Sequence, residues 1–306
     1  MANTDPKVTL GTDLPLPLFI RGKVRDTYDL GNQLLVIATD RISAFDSVLP
    51  VGIPEKGTVL NKLSVFWFRH TAELVHNHLL EDIDDVHCLD SYLPEESHSP
   101  FPLYLSGRSM IVKKVKRIPV ECVVRGYLAG SAWAEYQQHG AVSGITMPKG
   151  LKESQILKQP LFTPTTKEES GHDLPLSMNQ MKRLVGSRIT QDLEEQSLAI
   201  YNHAREYAQT RGIIIADTKF EFGLDGDALI LIDELLTPDS SRFWDASKYE
   251  VGHSQPSYDK QPVRDWLVKS GWNKEPPAPP LPPEVVEATS ISYVQAYERL
   301  TGRLLV

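Results

Sequence analysis

The chain has 306 residues, 41% hydrophobic and 24% charged, with a formal net charge of −8. These proportions suit a globular protein with one large domain or two interlocked ones. The acidic balance argues against a broad nucleic-acid footprint, which calls for a basic face, but leaves room for a small anionic substrate served by a few local cations.

Residues 1–17 are polar and carry prolines, and are expected to form an arm on the surface. Residues 19–46 read as strands, with a turn at 29–33 and a buried strand at 34–38. Residues 60–80 place Leu60, Leu63, Phe66, Trp67, Leu74, Val75 and Leu79 at helical spacing. Strands are expected at 110–115 and 120–124. A short helix is expected from Ser131, acting as N-cap, to Gln138. Residues 141–176 are rich in Gly, Pro, Thr and Lys and read as a long loop or excursion. One strong helix is expected from about 179 to 209, stopped by Gly212. A helix at 262–269, a stiff proline-rich linker at 276–283 and a last helix at 284–299 complete the chain. The pattern is α+β. The two cysteines, Cys88 and Cys122, make no disulfide framework or zinc spacing, and Cys122 reads as a small core residue. The chain has no secretory leader pattern and its apolar runs are too short for a membrane span. We expect a cytoplasmic protein with no membrane or nucleic-acid partner.

The chemistry concentrates in Asp217-Thr218-Lys219-Phe220-Glu221-Phe222-Gly223 and in Asp233-Glu234. Strand alternation puts Asp217, Lys219 and Glu221 on one face and Phe220 and Phe222 on the other. A hairpin turn at 224–227 and the apolar strand 228–232 bring Asp233 roughly opposite Glu221. Like charges facing across strands are unfavourable, and more so when buried. A divalent cation with nucleotide phosphates is the natural way to offset them. The alternative is a surface hairpin in which Lys219 pairs with its neighbours.

Basic residues recur at strand exits: Lys23, Arg25, Arg125, Lys219 and Arg242. Gly22-Lys23-Val24-Arg25 is no P-loop, but is similar to the glycine-containing lid over phosphates in kinase-like folds; a protective basic edge strand explains it too. Ser43 and Asp46 follow a buried strand, where sites are often built, although ordinary turn chemistry accounts for them equally well. Arg125 beside a helix opening at Ser131 is a candidate anion site. Arg242, with Ser240 and Ser241, is a candidate cation at the mouth of the acidic ribbon.

These segments closely resemble the SAICAR synthetase (phosphoribosylaminoimidazole-succinocarboxamide synthase) family of purine biosynthesis. The resemblance rests on 22–28, on 119–125 with Ala129-Gly130-Ser131, on 217–223, and on Asp233-Glu234 with Ser241-Arg242-Phe243-Trp244. Phe162-Thr163-Pro164-Thr165-Thr166-Lys167 and His172-Asp173 also look like family positions. The resemblance implies a two-lobed α+β fold, with a kinase-like N-terminal lobe and an ATP-grasp-like second lobe. Expected boundaries are 1–115 for the nucleotide-covering lobe, 116–275 for the substrate- and metal-binding lobe, and 276–306 for the linker and last helix. It implies an ATP-dependent ligase that joins L-aspartate to the carboxylate of an aminoimidazole ribonucleotide through an acyl phosphate, with ATP and Mg²⁺. Lys23 and Arg25 would meet phosphates, and Glu221 and Asp233 would hold Mg²⁺. Arg125, Ser131 and Arg242 would hold the ribonucleotide phosphate, and Asp217 and Lys219 would lie beside the reacting carboxylate. Ser43 and Asp46 would serve the imidazole or aspartate. Lys113, Lys114 and Glu121 would belong to the nucleotide site, with residues 113–117 as the connector beside adenine. The longer segments at 142–176 and 246–283 resemble the single-function form of the family, expected here as a monomer. Family members commonly carry a bulky apolar residue where this chain has Thr218, a side chain expected to face away from the site. The rival reading is a small-molecule kinase, which would share the lid and the magnesium carboxylates.

Overall fold

The computed structural model describes residues 8–45, 47–93, 100–167 and 174–305. The first half builds an antiparallel sheet of β1 (Leu18–Arg21), β2 (Arg25–Asp29), β3 (Gln33–Ala38), β6 (Leu79–Asp82) and β7 (Ser109–Lys113), in the order β1-β2-β3-β7-β6. Between β3 and β6 come the hairpin β4 (Arg41–Ala44) and β5 (Ser47–Gly52) and the helix α1 (Lys56–His70). Alternation decides what each face of the sheet buries. Leu35, Ile37 and Ile111 point into one apolar cluster, while Ala38, Met110 and Val112 point towards α1. The helical spacing read over 60–80 stops early. Thr71 closes α1 with its N–H and hydroxyl both on Trp67 O, and Leu79 opens a strand. Leu74 and Val75 lie between the two, with Val75 packed on the same core as α1.

The second sheet joins β8 (Lys116–Tyr127), β11 (Ile156–Phe162), β13 (Ile213–Asp225) and β14 (Ala228–Ile232) in the order β11-β8-β13-β14. β12 (Thr165–Thr166) adds to β8, and β15 (Ser241–Asp245) to β13. Between them lie α2 (Gly130–His139), the small hairpin β9 (Ala141–Val142) and β10 (Ile145–Thr146), and the helices α3 (Met178–Val185) and α4 (Ser187–Thr210). The tail adds α5 (Gln261–Lys269) and α6 (Pro283–Thr301), which packs on α1 and α5. One continuous core runs from α1 through Val120, Cys122, Val124, Phe220 and Phe222 to α4 and α6, and α1 packs between the first sheet and α6.

Four expectations need correction or refinement. The described residues within 141–176 form an excursion rather than a plain loop, because they contribute β9 to β12 (Ala141–Val142, Ile145–Thr146, Ile156–Phe162 and Thr165–Thr166). Pro160 is tolerated because β11 is an edge strand with an irregular register between Ile156 and Leu161. The helix expected over 179–209 is two, broken at Gly186, whose φ of +87° and ψ of 158° no helical residue adopts. Ser131 is not an N-cap: Ala129 takes that place with no side-chain cap, and Ser131 lies inside the first turn. The N-terminal arm is not merely laid on the surface. Thr12 is buried and bonds Asp26 Oδ2 through both N–H and hydroxyl at 2.9 Å. No helix among the described residues is long and apolar enough to cross a membrane.

Candidate active site

A register shift in β13 sets the site. It falls between Ile215 and Asp217 in the pairing with β15. Before it, the odd-numbered Ile213 and Ile215 face the main core. After it, the even-numbered Phe220 and Phe222 do, and Asp217, Lys219 and Glu221 are turned to the opposite face. On β8, Val120, Cys122 and Val124 take the core side, leaving Glu121 and Arg125 beside the acidic face of β13. Glu121 and Glu221 are direct register partners.

Two lysines answer these facing carboxylates. Lys167 donates to Glu121 Oε1 at 2.5 Å and lies 2.9 Å from Glu221 Oε1. Lys219 donates to Glu121 Oε1 at 3.1 Å. Burial and the charge of Asp233 raise the Glu221 carboxyl above its ordinary range, against the opposing pull of Lys167 and Lys219. Glu121 goes the other way: burial works against its charge, but the two lysines prevail and lower it. Burial likewise disfavours the Lys219 ammonium, yet Glu121 and Glu221 outweigh it and hold the group charged.

Asp233 stands one residue past β14. The residue directly opposite Glu221 is Ile232, and a left-handed φ of 70° at Asp233 swings the chain at this point. Arg25 reaches across from β2, its Nη2 lying 2.8 and 2.9 Å from the two Asp233 oxygens and 3.5 Å from Glu234 Oε1. Burial lowers the Asp233 carboxyl's tendency to ionise, but Arg25, Lys219 and Lys167 together outweigh it and the pKa is lowered. Lys23 lies in the turn between β1 and β2, whereas Arg25 opens β2. Arg41 braces that turn by donating to Gly22 O at 2.9 Å and Lys23 O at 3.2 Å. Lys113 pairs with Asp225, and Lys114 with Asp29 at 2.6 Å while lying over the Phe19 ring.

A second group lies further along the same strands. Asp217 binds Arg125 Nη1 at 3.0 Å and also Arg242 Nη1. Arg125 also donates to Thr163 Oγ1 at 3.0 Å and to Ser131 Oγ at 3.2 Å. The charge of Asp217 raises the Arg242 pKa, whereas burial lowers that of Arg125. Gly130 opens α2 at φ +56°, and a Cβ there would lie 2.4 Å from Arg242 Nη2, so only glycine lets this guanidinium lie against the helix start. Thr218, on the other face, bonds Ser241 Oγ at 2.8 Å. A buried hydroxyl pair thus gives this polar residue a partner.

The structure therefore assembles Asp217, Lys219, Glu121, Glu221, Asp233, Arg25, Arg125, Ser131 and Arg242. Ser43 sits on β4 opposite Val48 and, among the described residues, makes no side-chain bond to this group. Asp46, His172 and Asp173 lie outside the described residues. Lys167 and Thr163 are the side chains that the residue-level reading passed over. Their only signal was their place in the 162–167 segment, because the pairing of Thr165 with Glu121 that delivers Lys167 is a long-range register.

A family model described as SAICAR synthetase matches residues 18–279. The chain belongs to the SAICAR synthetase family. A phosphoribosylaminoimidazole-succinocarboxamide synthase of Syntrophobacter fumaroxidans is 51% identical over 299 residues, covering 97% of each chain. That of Geobacter sulfurreducens is 49% identical over 97% of this chain and 99% of its own. Among solved structures, the SAICAR synthase of Saccharomyces cerevisiae complexed with SAICAR superimposes with a TM-score of 0.87 at 45% identity, over 98% of this chain and 99% of that one. A SAICAR synthetase from Pyrococcus horikoshii shares the fold, with a TM-score of 0.65 at 24% identity over 92% and 99%. The α+β fold and the ligase class expected from the resemblance are those of the family, and ATP is its nucleotide substrate. The kinase alternative is set aside, since the sequence also lacks its His-Arg-Asp and Asp-Phe-Gly segments.

Proposed function

We infer that this face of β8 and β13 joins L-aspartate to the carboxylate of 5-amino-1-(5-phosphoribosyl)imidazole-4-carboxylate at the expense of ATP. The observation that carries this reading is the placement of two charge clusters on one strand face. Asp217 and Glu221 are four residues apart, roughly 13 Å along a strand, a length that a ribonucleotide can span. At the Asp217 end, Arg125 and Arg242 supply fork-like donors suited to a sugar phosphate, beside the hydroxyls of Ser131 and Thr163 that accept from Arg125. At the Glu221 end lie the carboxylates and lysines suited to a polyphosphate.

A carboxylate is a poor electrophile at neutral pH. Its oxygen attacks the γ-phosphorus of ATP and ADP leaves. The aspartate amine then attacks the acyl carbon, forming the C–N bond and expelling phosphate. Phosphoryl transfer needs alignment and charge neutralisation more than covalent help. Lys219, held as a cation, is suited to the charge of the reacting carboxylate rather than to proton abstraction. Asp217 fixes the two arginines. Arg25, from the start of β2, and Lys23, from the lid turn, would reach the phosphates.

Glu221 and Asp233 suit Mg²⁺, which binds through one or two carboxylates plus substrate phosphates. Burial and the charge of Asp233 raise Glu221, and the described residues contain no group of three or more His, Cys, Asp or Glu that would make a protein-only cage. The ion would neutralise charge on the phosphates. In this reading residues 1–115 cover the nucleotide and 116–275 hold the substrate and metal. Residues 276–306 brace both, through Ser290 on Pro54 O and Tyr293 on Asp239. We place the enzyme in the cytoplasm as a monomer.

The test is ADP release with ATP and Mg²⁺ in the presence of the ribonucleotide, with and without L-aspartate. Sustained ADP formation is expected only with all substrates, matched by succinocarboxamide. Continuous turnover without the amino acid would overturn the ligase reading.

A further inference from the structure

The two carboxylates assigned above to Mg²⁺ each carry a protein cation. Arg25 Nη2 lies 2.8 and 2.9 Å from the Asp233 oxygens, and Lys167 Nζ lies 2.9 Å from Glu221 Oε1. The two cations are held differently. Arg25 is fixed by Asp233 and Glu234 together. Lys167 has a second anion, Glu121 Oε1, at 2.5 Å, closer than Glu221, so it can leave Glu221 and stay paired. Its backbone need not move. Lys167 N donates to Pro119 O at 3.2 Å, and Thr165 and Thr166 pair with Glu121 and Val120. The lysine side chain is also the most exposed of the three, 22% against 6% for Glu121 and 8% for Glu221, which leaves it room to swing on its four-carbon stem. Mg²⁺ binds about 2.1 Å from a carboxylate oxygen, so an ion on Glu221 Oε1 would come within about 5 Å of Lys167 Nζ where it now stands. Even at the dielectric of water, a divalent ion and an ammonium at that separation repel strongly enough to cost about tenfold in binding.

We propose that Lys167 makes metal uptake at Glu221 depend on the nucleotide: its ammonium pairs with that carboxylate, opposes a bare Mg²⁺ ion, and yields to one that arrives with phosphates. The inference rests on the assignment of Glu221 to Mg²⁺ made above. A bare ion brings two positive charges to a carboxylate that a lysine has already neutralised. An ion carried by ADP or ATP brings the phosphate charges too, and these give the displaced ammonium a new partner besides Glu121. Lys167 thus selects the metal–nucleotide complex over the free ion. A lysine that only ties β12 to the sheet would stabilise the fold and leave that selection unchanged.

The experiment measures two affinities of the full-length protein. Bare Mn²⁺, which takes the same oxygen-rich octahedral sites as Mg²⁺, is followed by loss of the free-ion paramagnetic resonance signal. ADP–Mg²⁺ is followed by calorimetric titration. Lys167→Met should bind bare Mn²⁺ about tenfold more tightly than wild type and ADP–Mg²⁺ no more tightly. Lys167→Arg, which keeps the charge, should bind bare Mn²⁺ like wild type. Adding Glu221→Gln to Lys167→Met should abolish the gain. Bare Mn²⁺ binding by Lys167→Met no tighter than wild type, equal tightening of both ligands, the same gain in Lys167→Arg, or a gain that survives Glu221→Gln would overturn the proposal. If Lys167→Met does not fold, Lys167→Gln decides, since it offers Glu121 a donor without a charge. Glu221→Gln alone separates the two levels of the argument. If it binds ADP–Mg²⁺ like wild type, the metal assignment fails first and this inference falls with it. If it weakens ADP–Mg²⁺ while Lys167→Met gains nothing for bare Mn²⁺, this inference alone fails.

Discussion

Glu121 and Glu221 face each other across β8 and β13, and Lys167 is, among the described residues, the one side chain in hydrogen-bond reach of both, at 2.5 and 2.9 Å. Two buried carboxylates at this spacing repel, and removing the cation between them leaves both undercompensated. Lys167→Met is therefore expected to lower stability by about 1–3 kcal/mol, nearer the lower figure because Lys167 keeps some solvent contact. Adding Glu121→Gln to that variant should recover most of the loss, since one of the two charges is then gone. Urea unfolding of the single and double variants measures both effects. A further loss on adding Glu121→Gln would show that the carboxylates are not what Lys167 neutralises.

Glu221→Ala and Asp233→Ala test the chemical step. Each removes a carboxylate whose ionisation the surroundings have tuned, Glu221 raised by burial and Asp233, and Asp233 lowered, despite burial, by Arg25, Lys219 and Lys167 together. Turnover should fall by about a hundredfold or more, the scale for losing a group that stabilises transition-state charge. The fold should persist, because neither side chain belongs to the core running through Phe220 and Phe222. Initial rates and circular dichroism separate the two effects. Near-normal rates in either variant would remove the carboxylate pair from the mechanism.

Arg242 and Gly130 should act on one substrate only. Arg242→Ala removes a guanidinium held by Asp217 in the group with Arg125, so KM for the ribonucleotide should rise by about ten- to a hundredfold, the worth of a charged hydrogen bond, with KM for ATP little changed. Gly130→Ala should imitate it, because the added methyl would lie 2.4 Å from Arg242 Nη2 and the backbone is at φ +56°. Steady-state kinetics with each substrate varied in turn gives the answer. A rise confined to ATP would move both residues to the nucleotide side.

The face carrying Asp217, Lys219 and Glu221 was legible because strand alternation alone groups odd-numbered residues. The register shift between Ile215 and Asp217 was not legible. It moves the core side from odd to even residues, and a continuous run such as Ile213-Ile214-Ile215-Ala216 hides the change of parity. Asp233 was placed near Glu221 by the hairpin turn, but its left-handed φ, which turns the carboxylate to Arg25, is a tertiary feature. Lys167 went unassigned for a related reason. It stands beside Glu121 through a two-residue strand, β12, too short to leave a period. Gly186 did carry a local signal for breaking the long helix, yet apolar spacing on both sides of it resembled one uninterrupted face.

A last prediction concerns the buried group that fixes α6. Lys56 is fully buried and donates to Asp239 Oδ2 at 2.8 Å. Tyr293 donates to Asp239 Oδ1 at 2.5 Å, and Lys260 Nζ lies 3.5 Å from Oδ2. Burial opposes the Asp239 charge, but Lys260 and Lys56 outweigh it and push the pKa well below the ordinary carboxylate range. A carboxylate with a depressed folded-state pKa contributes stability in full above its unfolded value and loses it as pH falls through the folded value. Asp239→Asn should cost about 3–5 kcal/mol at neutral pH, because it leaves Lys56 buried without a counter-charge. That gap should be the same at any pH above the ordinary carboxylate value of 3.8 and should narrow below it, as wild-type Asp239 takes up its proton. Urea unfolding of both proteins across acidic pH measures the gap directly. A gap that widens on acidification would mean that Asp239 is not the ionised partner of Lys56.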